Sequence, residues 1–102
     1  MASKAEQKST DLDKAEESRM LRNKGNSAYG KKQFLAALAH YSQSILQAPL
    51  KSREAALSLG NRSAVFFEMG EWSKCLEDTE AAVEFFAYPV ELSYKLLDRS
   101  GY

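Results

Sequence analysis

Lys24-Gly25-Asn26-Ser27-Ala28-Tyr29 is followed by Phe34, Ala37, Tyr41, Ser44 and Pro49. Asn61-Arg62-Ser63-Ala64-Val65-Phe66-Phe67 is followed by Gly70, Trp72, Cys75, Asp78 and Ala82. Aligning Ala37 with Cys75 gives a period of 38 residues (75 minus 37), which sets Phe34 on Trp72, Leu38 on Leu76 and Ser44 on Ala82. Self-similarity of this length, with apolar residues at helical spacing, marks a solenoid unit that stacks on its neighbours. The pattern predicts an all-α chain of two full helix-turn-helix repeats and a partial third. Such an array is a scaffold for binding other proteins rather than a catalyst.

Outward from these stretches, the helices can be placed. Residues 1–11 are polar and alternately charged and are expected to form a disordered arm, with Thr10 or Asp11 capping the first helix. That helix should end near Gly30-Lys31-Lys32-Gln33. A second helix, about residues 35–48, offers Leu35, Ala37, Leu38, Tyr41, Ile45 and Leu46 as a buried face and stops before Pro49. A third is expected from about residue 51 or 52 to Met69. A fourth, about residues 73–87, offers Cys75, Leu76, Thr79, Ala82, Val83 and Phe86. After Tyr88-Pro89, a fifth helix with Val90, Leu92, Leu96 and Leu97 is still running at Tyr102. The expected divisions are therefore 1–11 arm, 12–49 first repeat, 50–87 second repeat, and 88–102 the first helix of an incomplete third. An uncovered Leu92/Leu96/Leu97 face predicts weak self-association. Small residues (Gly25, Ala28, Ala37, Ser44, Ser63, Ala64, Cys75, Ala82) and aromatics (Tyr29, Phe34, Tyr41, Phe66, Phe67, Trp72) are the expected packing set.

Composition narrows the function classes. With 14 basic and 14 acidic side chains the net charge is zero, which argues against a nucleic-acid partner. Residues 1–32 carry eight basic and five acidic groups, the signature of a solvated basic arm. One cysteine, Cys75, leaves no intramolecular disulfide and no cysteine-rich metal site, and suits a reducing compartment. No cofactor or metal is implied. There is no secretory signal and no apolar run near the ~20 residues that span a bilayer, so a cytoplasmic or nuclear location without a membrane partner is expected. His40 stands apart from any second His or Cys and reads as a surface histidine. Glu77, Asp78 and Glu80 read as an acidic face of the fourth helix.

The first repeat resembles the tetratricopeptide repeat, with Ser44 where that family prefers alanine. The usual period is ~34, so the extra residues fall most simply in the Ala48–Arg53 connector. A narrower similarity joins Asn61-Arg62-Ser63-Ala64-Val65-Phe66-Phe67-Glu68-Met69, Lys74-Cys75-Leu76 and Tyr88-Pro89-x-x-Leu92-x-x-Lys95-Leu96 to the N-terminal tetratricopeptide region of SET and MYND domain-containing proteins. That family combines a SET lysine methyltransferase domain with a MYND zinc finger. Neither domain is represented in these 102 residues, so no enzymatic activity is expected of them.

The resemblance implies a partner site. In chaperone-binding tetratricopeptide proteins, cations and amides of the concave helices clamp the terminal carboxylates of an acidic peptide. The matching positions here are Arg22 and Asn26 from the first repeat, Asn61 from the second, and Lys95 and Arg99 from the third. Such groups suit the task because carboxylates accept charge-assisted hydrogen bonds. The expected partner is a protein or peptide, of the Hsp90/Hsp70 C-terminal kind. The competing assignment makes Arg22, Lys95 and Arg99 solvated helix-face charges, with Asn61 paired to backbone. The alternative function is recruitment of partners or substrates for a longer SET/MYND methyltransferase.

Overall fold

The computed structural model describes residues 4–86, with side chains described over 10–85. Four helices follow in order: α1 Lys4–Gly30, α2 Phe34–Gln47, α3 Arg53–Glu68 and α4 Trp72–Phe86. No strand occurs among the described residues. α1 pairs with α2, α3 pairs with α4, and α2 joins the two hairpins by packing on α3. The architecture is all-α, built from tetratricopeptide-like helical hairpins.

The two hairpin turns are the same device, repeated 38 residues apart. In the first, Gln33 N–H donates to Ala28 C=O (2.9 Å) and Lys32 N–H to Tyr29 C=O (2.9 Å). In the second, Glu71 N–H donates to Phe66 C=O (2.8 Å) and Gly70 N–H to Phe67 C=O (3.1 Å). This crossed pair satisfies carbonyls that a helix end leaves unpaired, and it requires a left-handed residue after the helix. Gly70 fills that place at φ 77°, and Lys32 fills the equivalent one at φ 60°. An edge-to-face aromatic pair bridges each turn: Tyr29–Phe34 at 5.8 Å and Phe67–Trp72 at 5.1 Å. Between the hairpins, Ala48 turns extended ahead of Pro49, and Ser52 caps α3 by accepting from Ala55 N–H at 3.2 Å.

The interior has three parts. Ala28, Ala37, Tyr41 and Val65 pack with Tyr29, Phe34 and Leu38. Ala56, Leu59 and Ala82 pack with Ile45, Ala81 and Phe85. The third part is polar: Ser18, Ser44 and Ser58, one each from α1, α2 and α3, are fully buried. Ser18 Oγ donates to Ser44 C=O (2.8 Å), Ser44 Oγ donates back to Ser18 C=O (2.6 Å), and Ser58 Oγ lies 2.6 Å from Ser44 Oγ. Small side chains let α1 and α2 approach until each hydroxyl reaches the other helix's backbone. Every buried hydroxyl thereby gains a partner.

Several expectations are corrected. α1 runs back to Lys4, through the stretch read as arm and past Thr10 and Asp11. Ala5, Glu6, Gln7 and Lys8 are good helix formers and nothing there stops the helix. On α2, Leu35 and Leu46 are exposed, while Ser44 and Ala48 are buried beside Ala37 and Tyr41. On α4 the inward face is Asp78, Ala81, Ala82 and Phe85, whereas Leu76, Thr79 and Val83 face outward. The cause is a carboxylate on the inside. Arg62 clasps Asp78 with two bonds, Nε to Oδ2 at 2.7 Å and Nη2 to Oδ1 at 2.8 Å, and its Nη1 reaches Ser42 Oγ at 3.1 Å. Asp78 is therefore an internal tie between α3 and α4 rather than part of an acidic surface. Phe67 and Trp72 are more than half exposed, and Cys75 is half-buried. His40 is also half-buried, with its Nδ1 enclosed and unpaired. The expected fifth helix lies outside the described residues.

Candidate functional site

α1 and α3 lie side by side and meet along a row of polar contacts. Arg22, Asn26 and Tyr29 recur at helical spacing on α1; Glu54, Ser58, Asn61 and Glu68 do so on α3. Three rungs result. Asn26 and Asn61 make the middle one, with Asn61 Nδ2 donating to Asn26 Oδ1 at 3.1 Å. Tyr41 OH donates to the same oxygen at 2.5 Å, from α2 below. Tyr29 OH reaches Glu68 Oε1 at 3.4 Å at one end. Arg22 and Glu54 close the other end.

Asn26, Tyr29, Tyr41, Asn61 and Ala64 line a cleft of about 210 Å³. Gly25 makes its floor possible. The Tyr41 ring lies so close to α1 that a Cβ at residue 25 would sit 2.5 Å from two ring carbons. Tyr41 is almost wholly buried, and burial raises its phenol above the ordinary tyrosine value. It stays a neutral donor and fixes the Asn26 amide. Two donors converge on Asn26 Oδ1, which leaves the Nδ2 N–H groups of Asn26 and the Oδ1 acceptor of Asn61 without a further partner among the described residues. An oriented donor and acceptor side by side suit a peptide backbone, or a carboxylate on the donor side.

The expected site residues part company here. Asn26 and Asn61 come together at the cleft. Asn61 pairs with a side chain, not with backbone as the competing assignment had it. Arg22 is neither a solvated charge nor an open ligand donor: its Nη2 lies 2.8 Å from Glu54 Oε2, and Nη1 lies 3.4 Å from both Glu54 C=O and Ser58 Oγ. The Arg22 side chain is only 10% exposed. Lys95 and Arg99 lie outside the described residues. Sequence reasoning missed Glu54 and Tyr41 as site residues. Glu54 stands seven residues before Asn61, two helical turns on one face, and that spacing was the available signal.

Elsewhere, Phe67, Met69, Trp72 and Leu76 form an exposed apolar group at the α3–α4 end. Among the described residues no set of three His, Cys, Asp or Glu side chains is grouped to hold a metal. No described helix is long and apolar enough to cross a membrane.

Comparison with known proteins gives homologues of two kinds. The protein-lysine N-methyltransferase SMYD4 of Gallus gallus is 39% identical over 83 residues, 81% of this chain and 11% of its own length. SMYD4 of Danio rerio is 37% identical over 78 residues, 76% of this chain and 10% of its own. Hsp70-Hsp90 organizing protein 1 of Glycine max is 38% identical over 76 residues, 74% of this chain and 12% of its own. The chain thus spans about a tenth of the length of the curated relatives it matches. No protein-family model matches, and no solved structure matches.

Proposed function

As a homologue of tetratricopeptide regions in these two kinds of protein, the chain is, we propose, a protein-interaction module that takes a peptide segment into the α1–α3 groove. The observation that carries this reading is the Asn26–Asn61 pair. It is oriented by the buried Tyr41 hydroxyl and offers an unpaired donor beside an unpaired acceptor at an open cleft. Asparagine amides held in place lose little freedom when a ligand arrives, so their hydrogen bonds count toward affinity.

The finer reading is an acidic C-terminal peptide of the Hsp90/Hsp70 kind. The relatives named for Hsp70 and Hsp90 favour it, and so does the Arg22, Asn26, Asn61, Lys95 and Arg99 pattern. Calorimetry with a peptide ending in Glu-Glu-Val-Asp tests it. Binding weakened about 3- to 10-fold by Asn26→Ala is expected for loss of hydrogen bonds of ordinary strength. No binding heat, or binding indifferent to Asn26→Ala, would overturn it.

A second reading rests on the similarity to SMYD4, which extends over most of this chain. In it, the module recruits partners or substrates for a longer protein-lysine methyltransferase. A transcript that continues past Tyr102 into cysteine-rich zinc-ligand spacing would support it; one that ends there would contradict it.

A further inference from the structure

We propose that Glu54 is a built-in carboxylate that competes with an acidic ligand for Arg22, and so sets how strongly the groove prefers acidic over neutral peptides. The inference rests on the groove reading above and adds to it a residue that tunes selectivity.

Arg22 lies one helical turn from Asn26 on α1, on the same seam as the cleft. It is the buried cation at this seam, with the exposed Arg19 one turn earlier on α1 also feeling the Glu54 charge, and its guanidinium already holds a carboxylate, Glu54 Oε2 at 2.8 Å. In the absence of a ligand, Glu54 occupies the place where a peptide carboxylate would gain a charge-assisted contact. The contact is imperfect. Glu54 Oε2 is buried without an aligned hydrogen-bond donor, and the two further contacts of Arg22 are long at 3.4 Å. The attraction that Glu54 gives up on leaving is replaced by that of the incoming carboxylate, so the exchange strands no buried charge.

Glu54 also has somewhere to go. It sits in the first turn of α3, directly after the Ser52 cap and Arg53. A carboxylate there is favoured by the helix dipole whether or not it touches Arg22. Its side chain is 24% exposed, against 10% for Arg22, so the acid is the member nearer solvent. Displacement therefore moves Glu54 outward to water at the α3 N-terminus. Arg22 keeps its two long contacts, with Ser58 Oγ and the Glu54 carbonyl, and gains the incoming carboxylate in place of Glu54. A neutral peptide offers nothing to exchange for the lost pair and leaves it closed.

The test compares two synthetic peptides, one ending in Glu-Glu-Val-Asp with a free carboxylate and one ending in Gln-Gln-Val-Asn-amide. Their dissociation constants are measured by calorimetry on the full chain. Glu54→Gln should raise the preference for the acidic peptide about tenfold, the value of one charged hydrogen bond freed from competition. The double variant Arg22→Met/Glu54→Leu removes the pair with apolar groups, an exchange that buried ion pairs commonly tolerate. Its preference should fall below that of the unaltered chain. A preference unchanged in Glu54→Gln would overturn the inference alone. So would a rise in the double variant, which would mean that Glu54 acts only by repelling acids. Failure of both peptides to bind any variant would overturn the groove reading with it.

Discussion

Replacing Gly25 by alanine tests the packing that holds the site together. A Cβ at this position would lie 2.5 Å from Tyr41 Cδ1 and Cε1 and 3.1 Å from Cγ. Real carbon contacts lie near ~3.5–4.0 Å, so the ring or α1 has to retreat by about 1 Å. The ring packs in the cluster of Ala28, Ala37 and Val65, so its retreat disturbs that packing. Overpacking of this kind costs ~1–3 kcal/mol. The Tyr41–Asn26 hydrogen bond, which depends on the same ring position, is worth ~1 kcal/mol more. Against these, alanine in a helix gains ~0.5–1 kcal/mol over glycine. The net expectation is a loss of about 1–3.5 kcal/mol. Urea unfolding followed by far-ultraviolet circular dichroism reads it as a midpoint lowered by roughly 0.3–3 M, given the slopes usual for small domains. Gly60 is the internal control: it lies within α3 with nothing within 4 Å of its would-be Cβ. Gly60→Ala should stabilise the chain by ~0.5–1 kcal/mol. If Gly25→Ala stabilised it by the same amount, the tight contact with Tyr41 would be refuted.

Two further predictions concern the repeat and its internal tie. Lys32 holds the left-handed position that Gly70 fills in the second turn, so Lys32→Gly should raise the unfolding free energy by ~0.5–1 kcal/mol after the entropy of glycine is set against relieved strain. A lower thermal midpoint for Lys32→Gly would contradict the equivalence of the turns. Asp78→Ala should cost ~1–3 kcal/mol in chemical denaturation, since it strands a partly buried Arg62. A change within ~0.5 kcal/mol, the range of ordinary surface substitutions, would mean that the clasp contributes nothing.

The hairpins were legible because turn chemistry and helical spacing are local. Lys31-Lys32-Gln33 and Gly70-Glu71-Trp72 end and restart helices by themselves, and the period of 38 put the aromatic bridges in register. Helix faces were less legible. Leu76 and Val83 are more apolar than Asp78, yet Asp78 turns inward because Arg62, sixteen residues earlier, meets it with two hydrogen bonds. That pairing is tertiary and leaves no mark on the periodicity of α4. The candidate site divided the same way. Asn26 and Asn61 could be found by their places in the repeats, whereas the state of Arg22 depended on Glu54 of another helix. The serine set of α1, α2 and α3 looks in sequence like unremarkable polar positions, and only the helix packing brings the three hydroxyls together.

The claim that a peptide enters the α1–α3 groove is tested most directly by nuclear magnetic resonance of the ¹⁵N-labelled chain titrated with the Glu-Glu-Val-Asp peptide. The side-chain amide signals of Asn26 and Asn61 report on the cleft itself, and the indole signal of Trp72 reports on the exposed apolar group at the far end of α3. The account predicts saturable shifts of both asparagine amides, with the Trp72 indole unmoved. Saturable shifts at Trp72 with Asn26 and Asn61 unmoved would contradict it.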